Sequence, residues 1–161
     1  MNLLDKIMKP KSIAVIGAST KEHTIGSDIM KRLQECKFNG KIYPVNPKGG
    51  VIEGLQAYTS ITEVPGEVDL AIIVVNAKFV LSTIDQCHEK GIKGICIITA
   101  GFKETGAEGA ELEKQLVEKI HEYGMRCVGP NCLGVVNTHP DIRMDGCFAE
   151  SLPERGNIGF V

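Results

Sequence analysis

Residues 12–20 have the sequence SIAVIGAST, in which a short apolar run is followed by Gly17 and three small residues. The run Ser12–Ile16 is continuous rather than alternating, and this pattern is typical of a strand that is covered on both faces. Gly17 permits a tight turn, and residues 25–33 continue with apolar side chains at helical spacing. The stretch therefore predicts a buried strand, a glycine turn and a helix.

The same unit recurs along the chain. Further strands are predicted at residues 41–45, 69–75, 94–99 and 125–128, helices at 79–91 and 112–124, and a short opening helix at about 3–8. Continuous apolar strands joined by crossover helices form parallel sheets. We predict an α/β fold with a doubly wound, mostly parallel five-stranded Rossmann-like sheet in the order 3-2-1-4-5.

The pattern changes near the C-terminal end of the sequence. Residues 133–155 are rich in turn residues, and the run Gly156–Val161 then resumes a strand-like pattern. We therefore expect one domain over residues 1–150, followed over 151–161 by a linker and the first strand of a truncated following domain.

Composition excludes several classes of function. The chain has 161 residues, of which 43% are hydrophobic and 24% charged, and its formal net charge is −2. Binding to nucleic acid or to an anionic membrane needs a basic stripe, which this balance does not supply. No apolar run approaches the roughly 20 residues that span a bilayer, and the N-terminus has no signal-peptide core. We expect a soluble cytoplasmic protein without nucleic-acid or membrane partners.

The cysteines are spaced irregularly. None of the six forms a Cys-x-x-Cys pair, so we expect reduced thiols and neither disulfides nor a metal site. Cys96 lies inside an apolar run, where a thiol acts as a small hydrophobe. A catalytic role for Cys132 is disfavoured because no histidine lies near it in sequence.

The loop after the first strand has the character of a phosphate site. Ligands of open parallel sheets bind at the carboxyl ends of the strands. Around Gly17, Ala18 and Ser19 the backbone amides can approach a phosphate, Thr20 adds a hydroxyl, and the following helix points its positive end there. Gly26 permits close packing of the helix on the strand. A tight turn without any ligand is the alternative, because the glycine spacing G-x-G-x-x-G is not met.

The loop after the second strand narrows the choice of ligand. The fingerprint of dinucleotide-binding domains has a glycine at the position that Ser19 occupies here. It also has an acidic residue after the second strand, where this chain has Asn46, Pro47 and Lys48 instead. A lysine cannot accept hydrogen bonds from a ribose diol, but it can pair with a ribose phosphate. The sequence thus favours NADP or coenzyme A over NAD, unless Lys48 is merely a solvated turn residue.

Three further loops reach the same edge of the sheet. They contain residues 75–79, 99–102 and 128–134, and each could equally be an ordinary connection. The four histidines and the carboxylates form no nucleophile–base arrangement in the sequence. The chain therefore has the features of a binding domain without chemistry of its own.

Four motifs together resemble one family. They are Ile13–Ser19 with Ile25 and Gly26, Tyr43–Lys48, Ala100–Phe102 and Gly129–Gly134. In this order they resemble the N-terminal CoA-binding domain of the NDP-forming acyl-CoA synthetases, a family that includes the ADP-forming acetate–CoA ligase and is related to the succinyl-CoA synthetase α subunit. The resemblance covers essentially the whole chain.

The resemblance implies coenzyme A as the cofactor. It places the CoA phosphates at Gly17–Thr20, the adenosine end at Lys48 and the thiol end near Asn131 and Cys132. The full set of expected binding residues is Gly17, Ala18, Ser19, Thr20, Ile25, Gly26, Asn46, Pro47, Lys48, Val75, Asn76, Ala77, Phe79, Thr99, Ala100, Gly101, Asn131 and Cys132.

The resemblance also implies that CoA binding and the chemical reaction take place in different domains. In the family, acid, CoA and NTP interconvert with acyl-CoA, NDP and phosphate through a phosphohistidine of the next domain. This chain would then bind CoA without turnover, with no catalytic residue of its own, and its partners would be the remaining ligase domains or subunits, with a homo-oligomer left open. Two alternatives share the fold: an NADP-dependent oxidoreductase domain, and a non-catalytic CoA-sensing module of a protein acetyltransferase.

Overall fold

The computed structural model describes residues 2–151, 153–156 and 159. Its helices and strands, in chain order, are α1 (Leu3–Met8), β1 (Ser12–Ile16), α2 (Ile25–Glu35), β2 (Lys41–Val45), β3 (Val51–Ile52), β4 (Leu55–Gln56), β5 (Leu70–Ile73), α3 (Val80–Glu89), β6 (Gly94–Ile97), α4 (Ala107–Glu122), β7 (Arg126–Val128), β8 (Gly134–Asn137) and β9 (Met144–Cys147). Short 3₁₀ turns occupy Ile61–Glu63, Ala77–Phe79 and Lys103–Thr105.

Five strands form one parallel sheet in the order β2-β1-β5-β6-β7. The predicted α/β, doubly wound class is confirmed. The predicted strand order is wrong: counted along these five strands, the observed order is 2-1-3-4-5 and not 3-2-1-4-5. The third strand lies beside the first, and the second strand is at the edge.

Pro44 explains why the second strand lies at the edge. A proline has no amide hydrogen, so within sheets it is confined to edge strands and bulges. On the outer side of β2 the Pro44 carbonyl accepts one bond, at 3.0 Å from the amide of Tyr58, in a single bridge rather than a full strand pairing. A third strand along that side would need the donor that Pro44 lacks.

The two faces of the sheet are both covered. Alternate residues of the central strands point to opposite faces, so each continuous apolar run supplies two cores. One core lies under α3 and α4 and includes Ala14, Ala71, Ile73, Ile95, Ile84 and Leu116. The other lies under α1, α2 and β8–β9 and includes Ile13, Val15, Ile72, Ile7, Ile29 and Met144.

The β8–β9 hairpin was missed by the sequence analysis, which predicted a loop-rich segment at residues 133–155. β8 and β9 pair in antiparallel register, and β9 is buried against the second core. The reason is Asp145, a charged residue in a buried strand, whose carboxylate meets the guanidinium of Arg32 on α2 at 2.7 Å. Such a pair of distant residues leaves no periodic signal.

The expected strand over residues 156–161 and the division at residue 150 stay predictions. Residues 157, 158, 160 and 161 lie outside the described part of the chain. Within that part, no helix combines the length and the apolar content that crossing a bilayer requires.

Candidate functional site

The corrected strand order moves the predicted crevice. In an open α/β sheet the ligand crevice lies where the strand order reverses, and in the order 2-1-3-4-5 this point falls between the first and third strands. The loops after β1 and β5 therefore flank the crevice, whereas the order expected from sequence would have placed it between β1 and β6. The loops after β2, β6 and β7 follow at the same carboxyl edge. In chain order, the loops after β1, β2, β5, β6 and β7 are the first to fifth loops.

Two glycines bring α2 onto the first loop. Gly17 has φ +99°, and a Cβ there would lie 2.9 Å from a methyl group of Val74. At Gly26 a Cβ would lie 2.1 Å from the carbonyl oxygen of Gly17, a distance that real Cβ atoms do not show. Only glycine at both positions lets the amino end of α2 sit directly on the turn, with its free amides facing the edge.

The first loop is also held by its own hydroxyl groups. Ser19 Oγ accepts a bond from the amide of Lys21 at 3.0 Å. Thr24 caps α2, since its hydroxyl accepts from the amide of Ser27 at 3.3 Å and donates to the carbonyl of Lys21 at 2.8 Å. The predicted residue Ala18 is buried, while Thr20 and Ile25 are exposed at the edge.

Asn46 joins the second loop to the first. Its side-chain amide donates to the carbonyl of Ala18 at 2.7 Å, and its side-chain oxygen accepts from the amide of Lys48 at 2.9 Å. Through these two bonds the Asn46 side chain holds the second loop against the first. Pro47 and Lys48 are exposed, and no carboxylate among the described residues forms a salt bridge with Lys48. The lysine is thus available to an anion.

The third and fourth loops are bound to each other. The hydroxyl of Thr99 donates to the carbonyl of Val75 at 2.7 Å. A Cβ at Gly101 would lie 3.0 Å from the Cβ of Ala77, so the two loops touch at these positions. Asn76 caps the Ala77–Phe79 turn by accepting from the amide of Lys78 at 3.2 Å. Four of the predicted residues are therefore brought together, with Ala100 exposed beside them.

An internal carboxylate already occupies the amides of the fourth loop. Glu104 Oε1 accepts from the amides of Gly101 and Phe102, at 2.5 and 3.1 Å. These two amides hold the pKa of Glu104 below its ordinary value because they stabilise the charged form. The amide of Gly101 is thus already bonded, and this residue leaves room for a ligand because it has no side chain. Glu104 was not among the residues predicted from the sequence.

The fifth loop carries the thiol group. The amide of Asn131 donates to the carbonyl of Thr99 at 3.0 Å, which fastens this loop to the fourth. The Cys132 sulfur lies 3.8 Å from the Cys96 sulfur and 3.3 Å from the carbonyl oxygen of Ile97. A hydrogen bond between Cys132 and Cys96 lowers the pKa of the Cys132 thiol, against the opposing effect of burial.

Large apolar side chains stand exposed along the same edge. Phe79 is 52% exposed and Leu133 is 63% exposed, and Ile25 adds a third exposed apolar side chain. Leu133 was missed by the sequence analysis, although a large apolar residue within a turn-rich stretch is a signal that could have found it. Amides, a free cation and exposed apolar groups suit a long ligand that is anionic at one end and apolar at the other.

The described residues show no group of three His, Cys, Asp or Glu side chains suited to a metal ion. Cys132 is the one cysteine among the predicted binding residues.

Comparison with known proteins gives one family. The family described as a CoA binding domain matches residues 11–138. Among curated proteins, the α subunit of the ADP-forming acetate–CoA ligase II of Pyrococcus furiosus is 50% identical over 99% of this chain and 34% of its own length. The ADP-forming acetate–CoA ligase I of Archaeoglobus fulgidus is 47% identical over 98% of this chain and 22% of its own length.

A solved structure agrees with these relatives. The dinucleotide-forming acetyl-coenzyme A synthetase 1 of Ca. Korarchaeum cryptofilum, in complex with phosphate and ADP, is 41% identical and superposes with a TM-score of 0.90 over 98% of this chain and 33% of that one. The chain thus spans about a third or less of the length of these three relatives.

Proposed function

Because this chain belongs to the CoA binding domain family, we propose that the carboxyl edge of its sheet binds coenzyme A as the N-terminal part of an NDP-forming acyl-CoA synthetase. In the whole enzyme, an acid, CoA and NTP would interconvert with acyl-CoA, NDP and phosphate. This chain would supply the CoA site, and its partners would be the other domains or subunits of the ligase.

The single observation that carries the proposal is the contact between Gly17 and Gly26. It places the amino end of α2 directly on the first loop, so that free backbone amides and the positive end of the helix dipole meet at one point. The CoA diphosphate is an anion of the size that such an arrangement accepts.

The second loop supports the adenosine end of CoA. Asn46 fixes the loop beside the first, and Lys48 is left exposed without an acidic partner in the described part of the chain. The 3′-phosphate of CoA is the group that distinguishes it from dephospho-CoA, and a lysine is suited to bind it as a point charge. The exposed Phe79 and Leu133 would face the pantetheine arm, and Cys132 the thiol end.

The chemistry of the reaction belongs to the part of the enzyme beyond this chain. The described residues show no base, nucleophile and orienting group in mutual contact at the site, and the phosphohistidine that the family resemblance implies would lie in the next domain. We therefore expect the isolated chain to bind CoA without turnover.

Calorimetric titration with CoA, 3′-dephospho-CoA and NADPH tests the proposal. We expect CoA to bind more tightly than NADPH. Lys48→Ala should weaken CoA about tenfold, which corresponds to about 1.4 kcal/mol, and leave dephospho-CoA nearly unchanged. Lys114→Ala is the matched control, because Lys114 is an exposed lysine on α4.

Two outcomes would count against the proposal. A preference for NADPH would favour an oxidoreductase domain, whose ribose phosphate Lys48 could equally bind. Equal losses of CoA and dephospho-CoA in the Lys48 variant would remove the role assigned to this residue, while leaving the first loop as the phosphate site.

A further inference from the structure

Two of the six cysteines touch in the described fold. Cys96 lies in β6 and Cys132 in the loop that follows β7, whereas Cys127 of β7 packs against the core on the other face of the sheet. Although 36 residues separate Cys96 and Cys132 in sequence, their sulfur atoms are 3.8 Å apart, which is van der Waals contact. All six cysteines are free thiols in this structure.

The two touching thiols differ in access. Cys96 is completely buried inside the sheet, so a reagent in solvent cannot reach it directly. Cys132 is half-buried, and its chain neighbours Asn131 and Leu133 are both exposed. A reagent that arrives from solvent must therefore meet Cys132 first.

The two thiols also differ in reactivity. The two thiols share a hydrogen bond. This bond and burial both raise the pKa of Cys96, whereas the same bond lowers the pKa of Cys132. The thiolate is the form that attacks a disulfide, so the accessible member of the pair is also the nucleophilic one. Burial raises the pKa of the third thiol, Cys127, to about 12, which leaves it protonated near neutral pH.

We propose that Cys96 and Cys132 form a modification site, at which a low-molecular-weight disulfide converts the two thiols into a reversible intramolecular disulfide. The sulfur contact carries this proposal, which goes beyond CoA binding and does not depend on it. Reversible disulfides of this kind are compatible with reducing compartments, where they act transiently.

The conversion has two balanced steps. First, the Cys132 thiolate attacks one sulfur of the small disulfide RSSR. The S–S bond of RSSR breaks, a mixed disulfide forms on Cys132 and RS⁻ is released. The released RS⁻ takes up the proton that Cys132 lost. Next, the Cys96 sulfur attacks the Cys132 sulfur, expels the second RS⁻ and passes it the Cys96 proton. The pair of cysteines is oxidised by two electrons, and RSSR is reduced to two RSH.

The structure decides which part must move. A disulfide bond is about 2.05 Å long, so the two sulfurs must approach by nearly 2 Å. Cys96 is held in a central strand that pairs with β5 and β7, whereas Cys132 lies in a loop. We expect the fifth loop to close towards β6 on oxidation.

The test is oxidation of the whole chain with glutathione disulfide, followed by intact mass and a non-reducing peptide map. We expect the wild-type chain to lose two of its six thiols, to lose the mass of two hydrogen atoms, and to show one peptide pair that joins Cys96 to Cys132. Dithiothreitol should restore the starting mass.

Variants assign the steps. Cys96→Ser should stop at a stable glutathione adduct on Cys132, Cys132→Ser should leave Cys96 reduced, and the matched control Cys127→Ser should react as the wild type does. A persistent adduct on wild-type Cys132, a different cysteine pair, or no reaction at either residue would overturn the proposal. The peptide map of the wild-type chain decides the matter even where a variant fails to fold.

Discussion

Replacing Gly26 with alanine is the perturbation that most directly tests how the candidate site is built. The added Cβ would lie 2.1 Å from the carbonyl oxygen of Gly17, and contacts below 3.0 Å are essentially absent for real Cβ atoms. The obstacle is backbone, so no side-chain rotation relieves it. The amino end of α2 must move away from the first loop by about 1 Å, as judged from the missing contact distance.

The expected cost follows from two opposing effects. Forcing an extra methyl group into a packed position costs about 3 kcal/mol when the neighbour is rigid. Alanine within a helix returns about 1 kcal/mol relative to glycine. The net loss in the free energy of unfolding is therefore about 2 kcal/mol, which for a chain of this size lowers Tm by roughly 4–8 °C.

The assay has a stability arm and a binding arm. Urea unfolding should show the loss of about 2 kcal/mol in Gly26→Ala. Because the helix amides no longer face the first loop at the correct distance, CoA affinity by calorimetry should fall at least about tenfold. Ser27→Ala is the matched control: this neighbouring hydroxyl is buried without a hydrogen-bond partner among the described residues, so its removal should not lower stability.

The result that would refute this reasoning is a Gly26→Ala chain with unchanged stability and unchanged CoA affinity. Such a chain would show that α2 does not rest on the Gly17 turn. Loss of stability with unchanged affinity would confirm the packing and place the phosphates of CoA away from the first loop.

Two further predictions concern charged pairs that hold the fold. The side chains of Arg32 and Asp145 are only 9% and 1% exposed. Asp145→Asn should therefore leave a buried guanidinium without a counter-charge and cost about 3–5 kcal/mol in urea unfolding. A loss below about 1 kcal/mol would contradict this, and adding Arg32→Met to the Asp145→Asn chain should recover part of the lost stability. Burial would raise the pKa of Asp69, but the hydrogen bond from Lys6 and the amide of Lys11 outweigh it and lower the pKa. The stability that Asp69 contributes is thus complete above the unfolded pKa of about 3.9 and disappears as the pH falls through the lower pKa of the folded state. Asp69→Asn should therefore flatten the acid limb of a plot of stability against pH. An unchanged acid limb would contradict this prediction.

The corrected strand order has a functional consequence. It places β5 directly beside β1, so that the Val74 methyl group closes on Gly17 and the loop after β5 becomes one wall of the crevice. In the order expected from sequence, that wall would have come from the loop after β6. Pro44 was the one local signal of the true order, because it excludes a second full pairing for β2.

The amino-acid sequence by itself determined the α/β class, the five parallel strands and the loops that form the candidate site. These properties are local: a continuous apolar run is buried on both faces wherever the strand lies, and a small-residue turn before a helix exposes amides whatever its neighbours are. The family motifs added the identity of the ligand to this local information.

Only the tertiary structure decided which elements became neighbours. The pairing of β1 with β5, the burial of Asp145 against Arg32 and the contact of Cys96 with Cys132 each join residues far apart in sequence. A partner that is distant along the chain imposes no period on its own surroundings, so nothing in the spacing of residues announces it. Such contacts exist only once the strands have been ordered, and the site's cation, amides and thiols take their positions from that order.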